Sequence, residues 1–356
     1  MGVFYFLLLT PILAQHFKIG RGYIDFEKRN KRALLFFFTV LTVLLMLRHK
    51  TVGTDTKNYI YYFNSFAKMG WDAIARQSGE VGFIYFAKII SLLSKEPQFF
   101  IAAAAIAIVC MIYPTYNRLC HDASFTIILF CTMSTFVMMF SGIRQMLAIG
   151  LGFVAYEFTR RKKLVFFILT VVLALTFHTS AFMLIFMYPV YYAKITKNWL
   201  YAVVPILLLI FVFNSQIFSV LGMILEHYTG YDATIQRTGA YTMLILFAFF
   251  AVISFLFPEE SRLDRETVGL RNFLLLSVAI QMFAPLHMIA MRMNYYYIIF
   301  IPLLLPKIIE HRSEKWSQVA LVTRCVLVAC FFAFFFLNAQ SGSNLNVFPY
   351  RFFWEN

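Results

Sequence analysis

Charge is scarce in this chain of 356 residues: Asp, Glu, Lys and Arg together make up 13% of it, and only 17 residues are acidic. An ordinary globular domain is about 25% charged, so a fold wetted on all sides is excluded. Cysteine is scarce as well. Cys110, Cys131, Cys325 and Cys330 lie in apolar runs and Cys120 in a short loop, a spacing that fits neither a disulfide framework nor a zinc site. They read as small buried hydrophobes. There is no His/Cys cluster at ligand spacing, no Gly-rich phosphate loop and no Ser nucleophile motif. That pattern argues against nucleotide-driven chemistry. No cofactor or metal is expected, and the energy for any transfer has to come from an activated substrate already in the membrane. Internal repeats, low-complexity tracts and soluble domains are also missing.

What is abundant is apolar. Hydrophobic residues are 61% of the chain and aromatics 19%, with 43 Phe. No soluble interior could hold that much apolar surface, so lipid must solvate it. The formal charge of +14 comes from 31 Lys and Arg against 17 acids, spread through short loops between apolar runs. It reads as membrane orientation together with anionic headgroups or an anionic substrate, and not as nucleic-acid binding.

A bilayer core needs about 20 mostly apolar residues per helix. Candidate spans are 3–17, 33–47, 98–116, 123–140, 143–159, 164–177, 180–193, 199–220, 240–257, 272–290, 293–309 and 317–337. The expected fold is therefore an all-α polytopic membrane protein with about twelve transmembrane helices, forming a single integral domain over 1–356. Segments 164–177 and 180–193 are too short to cross without local thinning or burial in protein. Segment 81–94 is apolar but carries Lys88 and follows Glu80, so it is expected to be an interfacial or re-entrant helix. Loops 18–32, 117–122, 160–163, 194–198, 258–271 and 307–315 hold most of the Lys and Arg, which places them in the cytoplasm. Both termini then lie outside the cytoplasmic (inner) membrane, and the first span, followed at once by Lys18 and Arg21, suits an uncleaved anchor. The outward pieces are segment 48–97, loop 221–239 and tail 338–356.

Those outward pieces carry isolated polar residues of several chemistries, each near a helix end. Asp55 or Thr54 can cap a helix holding Asn58, Tyr59, Tyr62 and Phe63. Glu80 opens the next helix, at Gly79-Glu80-Val81-Gly82-Phe83. Ser141-Gly142-Ile143-Arg144-Gln145 is a tight turn that sets Arg144 at a helix N-terminus. There the dipole, free N–H groups and a guanidinium would converge on an anion. Phe177-His178-Thr179-Ser180 joins two short spans and leaves His178 at the outer interface. Met291-Arg292-Met293-Asn294-Tyr295-Tyr296-Tyr297 reads as another tight outward turn. The tail holds Tyr350 and Arg351 among aromatics. No two carboxylates on this face stand one or two residues apart. Each motif also has a plainer reading: a capped interfacial helix, a snorkelling Arg, a structural His or an aromatic belt.

Taken in this order, these motifs resemble the EpsG family, membrane proteins of exopolysaccharide, capsule and O-antigen clusters that are similar in role to Wzy polymerases. The likeness runs from about residue 30 to the end and includes Pro302 and the closing Pro349-Tyr350-Arg351-Phe352-Phe353-Trp354. It implies polymerisation of undecaprenyl-diphosphate-linked repeat units on the outer face, by a metal-independent membrane glycosyltransferase of GT-C type. A flippase and a chain-length regulator are the protein partners it suggests.

The residues read on their own agree on chemistry. Arg144, Gln145 and Arg292, with Arg48, Arg237 and Arg351, would hold the diphosphate. Tyr59, Tyr62, Tyr295 and Tyr296 would stack on sugar. Of the candidate bases Glu80 is ranked first, because desolvation at the mouth of its helix should raise its pKa, with Asp55 second and His178 third. The alternatives are an O-antigen ligase, a glycan-modifying acyltransferase, or a transporter or flippase of lipid-linked glycan. Transport predicts charged or unwound positions at mid-membrane, and banding of the polysaccharide from a deletion strain separates all of these.

Overall fold

A computed structural model describes residues 2–16, 26–229, 235, 241–341 and 345–355. Among them the secondary structure is helical, with no strand beyond two isolated bridges, Arg48 with Phe352 and Pro258 with Arg312. Among the described residues three helices are long and apolar enough to cross a membrane, or six if each of three bent pairs forms one span. The chain divides into two compact units, one comprising Met1–Phe182 with Cys325–Asn356 and the other Met183–Arg324.

The first unit contains α1 (Gly2–His16), α2 (Phe26–Leu47), α3 (Thr56–Lys68), α4 (Trp71–Ala75), α5 (Val81–Leu93), α6 (Pro97–Leu119), α7 (Ala123–Thr132), α8 (Ser134–Ser141), α9 (Ile143–Arg160) and α10 (Leu164–Phe177). Helices α2 and α6 pack together, as do α6 and α9, and α9 and α10. Their contact faces are aromatic: Phe37, Phe38, Tyr116 and Phe130 meet mostly edge to face. Such ring pairs add about 0.5–1.5 kcal/mol each beyond the area they bury. The expected span 123–140 is bent by 65° between α7 and α8. Helix α5 forms where an interfacial helix was expected and packs on α3 and α10. Lys88 on α5 is buried and donates to the carbonyls of Phe66 (3.2 Å) and Met69 (2.6 Å), which closes the α3–α5 hairpin.

The tail is tied to this unit. The Arg351 carbonyl accepts from the His49 N–H, Phe353 N–H donates to Leu47, and the carbonyls of Leu345 and Asn346 accept from Thr54 and Gly53. Gly53 has φ +88°, and a side chain there would collide with the Phe140 carbonyl. Only glycine fits both constraints. This lays residues 48–54 against the end of α8.

The second unit contains the second half of a 3-10 stretch, Thr179–Phe186, then α11 (Met187–Tyr192), α12 (Leu200–Val212), α13 (Asn214–Thr229), α14 (Tyr241–Leu256), α15 (Arg265–Gln281), α16 (Met288–Ile298) and α17 (Ile301–Glu310); α18 (Ser317–Ser341) starts in it and continues in the first. Several expected boundaries move here. Segment 180–193 is a 3-10 stretch followed by a short helix. Segment 199–220 is bent by 74° at Phe213, and α13 runs on to Thr229, inside the expected loop 221–239. The expected spans 272–290 and 293–309 are out of frame. Helix α15 starts at Arg265, because Arg271 is fully buried, paired with Glu260 at 2.7 Å and stacked on Phe255 at 4.0 Å. The chain then unwinds at 282–287 around Pro285. Of the five cysteines, all expected to be buried, Cys110, Cys325 and Cys330 are exposed on apolar helix surfaces, Cys120 is half-buried and Cys131 is buried.

Candidate functional site

Three chain segments far apart in sequence meet in the first unit. Gly142 separates α8 from α9, so Arg144 occupies the first turn of α9, as the turn motif predicts. Glu80 is the residue before α5 and makes no capping bond to its own helix. His178 ends α10 with extended backbone, φ −159°. Helix α5 approaches α10 through Gly82, where a side chain would collide with Thr176 and crowd Phe177. That close approach brings Glu80 to His178.

The Glu80 carboxylate then bridges two partners. Its Oε2 lies 2.7 Å from Arg144 Nη1, and its Oε1 lies 2.6 Å from His178 Nδ1. Oε1 also accepts from the Thr179 N–H at 3.3 Å. The carboxylate side chain is 12% exposed and the Arg144 side chain 39%, so the arginine keeps an open side while the acid does not. Arg144 lies over the rings of Tyr59 (5.7 Å) and Phe83 (5.8 Å), which pack on each other at 5.5 Å. An aromatic floor of this kind holds a guanidinium flat and attracts it electrostatically.

The ionisation of Glu80 differs from the sequence expectation. Burial pushes its pKa up, but the hydrogen bond and charge of His178, the Arg144 charge and the Thr179 N–H outweigh burial and leave it lowered. An ionised carboxylate only accepts hydrogen bonds. His178 must therefore carry its proton on Nδ1, and when the ring is neutral the lone pair is on Nε2. Burial raises the Tyr59 phenol, against the opposing Arg144 charge.

The remaining predicted residues fall into place unevenly. Asp55 precedes α3 without a side-chain cap; its N–H donates to Ser141 Oγ at 3.3 Å, and its charge bears on Tyr59. Gln145 is buried with Nε2 3.4 Å from Ser180 Oγ, tying α9 to the start of the 3-10 stretch. Tyr59, Tyr295 and Tyr296 are buried, whereas Tyr62 is 41% exposed. Arg48 is buried to 2%, donates to the Leu45 carbonyl at 2.7 Å, and is lowered to about 10 by desolvation. Arg351 is exposed on the docked tail. Arg292 belongs to the second unit and lies within α16 where an outward turn was expected, because the break falls at 282–287. Arg237 lies outside the described residues. Sequence reading missed the supporting roles of Phe83, Ser141 and the Thr179 N–H. Phe83 and Ser141 were visible in their motifs, but a backbone donor and a hydroxyl acceptor leave no signal of the contacts they make. Among the described residues no group of three His, Cys, Asp or Glu could hold a metal ion.

A model of the EpsG family matches residues 31–352 of the chain. No curated protein and no solved structure matches it.

Proposed function

The chain belongs to the EpsG family, and from that premise we propose that it is a polysaccharide polymerase, joining polyprenyl-diphosphate-linked repeat units by glycosyl transfer on the outer face of the cytoplasmic membrane. In this reading the shorter helices cross the bilayer together with the long ones, giving about twelve spans and a GT-C-like membrane enzyme. The observation that carries the reading is the Glu80 bridge between Arg144 and His178.

The step needs a base, an acceptor and a way to hold departing charge. A bond forms between the acceptor hydroxyl oxygen and the anomeric carbon of the donor chain, and the bond from that carbon to the diphosphate oxygen breaks. His178 Nε2 takes the acceptor proton. Glu80 is held too acidic to be a good base, so its role is to fix the His178 tautomer and to steady the imidazolium that forms, as carboxylates do beside catalytic histidines. The electron pair leaves with the diphosphate, whose growing charge meets the open side of Arg144 and the first N–H groups of α9. Exposed Tyr62, with Tyr61 beside it, offers ring faces to the acceptor glycan.

The test is complementation of a deletion strain, read as the ladder of polysaccharide lengths. His178→Ala and Arg144→Ala should each leave single repeat units while the protein stays in the membrane at normal level. A full ladder from His178→Ala would remove it as the base.

A second reading, movement of lipid-linked glycan, draws on the second unit. There α15 and α16 are interrupted at 282–287, and Asn294, Gln281 and Ser277 are fully buried together, Asn294 Nδ2 lying 2.9 Å from Gln281 Oε1. Unwound backbone and buried polar groups of this kind are features of transporters. Loss of transport would leave no repeat units outside, whereas loss of polymerisation leaves single ones.

A further inference from the structure

The second unit contains a long open groove that the proposed chemistry does not use. Its volume is about 600 Å³, and α12, α14 and α15 line it. Of its lining residues every one is apolar except Lys197, which stands just before α12 at one end. Ala248 and Ala251 on α14 contribute only methyl groups. Val204, Leu208 and Val252 on its walls are strongly exposed. Trp199, half exposed, sits at the same end as Lys197, and Lys194 is three residues away. Trp and Lys together mark a membrane–water interface.

We propose that this groove binds one acyl chain of an anionic phospholipid, whose phosphate is held by Lys197. The lining fits an amphiphile: one cation at the end, then uninterrupted hydrocarbon. Its length fits a single leaflet. From Leu200 to Phe211 the wall runs about 16 Å at about 1.5 Å per residue, close to half of a hydrocarbon core of about 30 Å. An isoprenoid long enough to reach both leaflets would overrun it. The excess of Lys and Arg also assigns loop 194–198 to the cytoplasmic side, whose leaflet carries anionic lipid. The diphosphate of the proposed substrate is placed at the outer face, so the two lipids are different molecules and the inference stands apart from the polymerase reading.

Full-length protein in mild detergent is mixed with phosphatidylglycerol, phosphatidylcholine or undecaprenyl phosphate, and bound lipid is counted by native mass spectrometry. One phosphatidylglycerol should be retained in preference to phosphatidylcholine. Lys197→Gln, at an exposed position that does not threaten folding, should cut that preference about fivefold, the worth of one interfacial lysine. Ala248→Phe fills the groove and should lose lipid of either headgroup at an unchanged melting temperature. Equal retention of the two phospholipids by the natural protein overturns the inference, as does full preference in Lys197→Gln. Stronger retention of undecaprenyl phosphate than of phosphatidylglycerol also overturns it, assigning the groove to the carrier.

Discussion

Glu80 sits where burial pulls its ionisation one way and Arg144, His178 and the Thr179 N–H pull it the other, and the partners prevail. Because the folded pKa lies below the ordinary 4.5, the bridge stabilises the fold fully above about pH 4.5 and less as the pH falls through the folded value. Thermal unfolding of the natural protein and of Glu80→Gln should thus differ near neutral pH and converge in acid. A gap that stays constant down to about pH 3 would show that the bridge contributes no such linkage. Arg144→Ala removes a charge-stabilising donor and should lower polymerisation about 10²–10³-fold. Lys at that site keeps the charge but loses the planar fork and its stacking on Tyr59 and Phe83, so only part of the ladder should return. The placement of Arg144 was legible in the sequence, because Gly142 and the polarity around it mark a turn. The pairing of Glu80 with His178 was not, since the two are 98 residues apart and no local rule joins them. Nor could the sequence tell the buried Tyr59, Tyr295 and Tyr296 from the exposed Tyr62.

At the scale of helices, the site depends on how closely α5 can lie against the end of α10. Gly82→Ala forces a methyl group into Thr176, and crowding of a packed interface typically costs about 1–3 kcal/mol. The variant should melt lower and lose polymer, because the Glu80 carboxylate, two residues before Gly82, is displaced from His178. Adding Thr176→Ala removes the hydroxyl that is struck, so the double variant should regain part of both losses, a coupling a double-mutant cycle measures. Independent, additive losses would mean that the contact does not position Glu80. Hydropathy found the apolar runs but not where they bend. Met133 and Phe213 interrupt α7–α8 and α12–α13 without any proline or glycine at the break. The frame of α15 was readable in principle. Pro285 stands inside the expected span 272–290, and a proline there argues for the end of a helix before it. What concealed the frame was Arg271, a charge that Glu260 and Phe255 make tolerable in a helix.

At the scale of the whole molecule, composition alone established a helical protein in lipid, but which helices cross is a question of topology that decides where the site faces. Helix α9 carries Arg144 at one end and Glu157 and Arg160 near the other, paired at 2.6 Å. With those charges it is not among the helices that are clearly long and apolar enough to span. Lys57 and Lys162 are exposed and flank α6, the α7–α8 pair and α9. If α6, α7–α8 and α9 all cross, an odd number of spans separates the two lysines and they face opposite sides. If α9 does not cross, they face the same side. Lys57→Cys and Lys162→Cys, in a background lacking the five native cysteines, can be probed on intact cells with a membrane-impermeant thiol reagent. Labelling is expected at position 57 only. That result would put the N-terminus of α9, with Arg144 and its open guanidinium face, on the outer side, where a lipid-linked diphosphate can reach it. Labelling at both positions would leave α9 within one leaflet, and labelling at 162 alone would turn the Glu80–His178–Arg144 cluster toward the cytoplasm and end the outer-face polymerase reading.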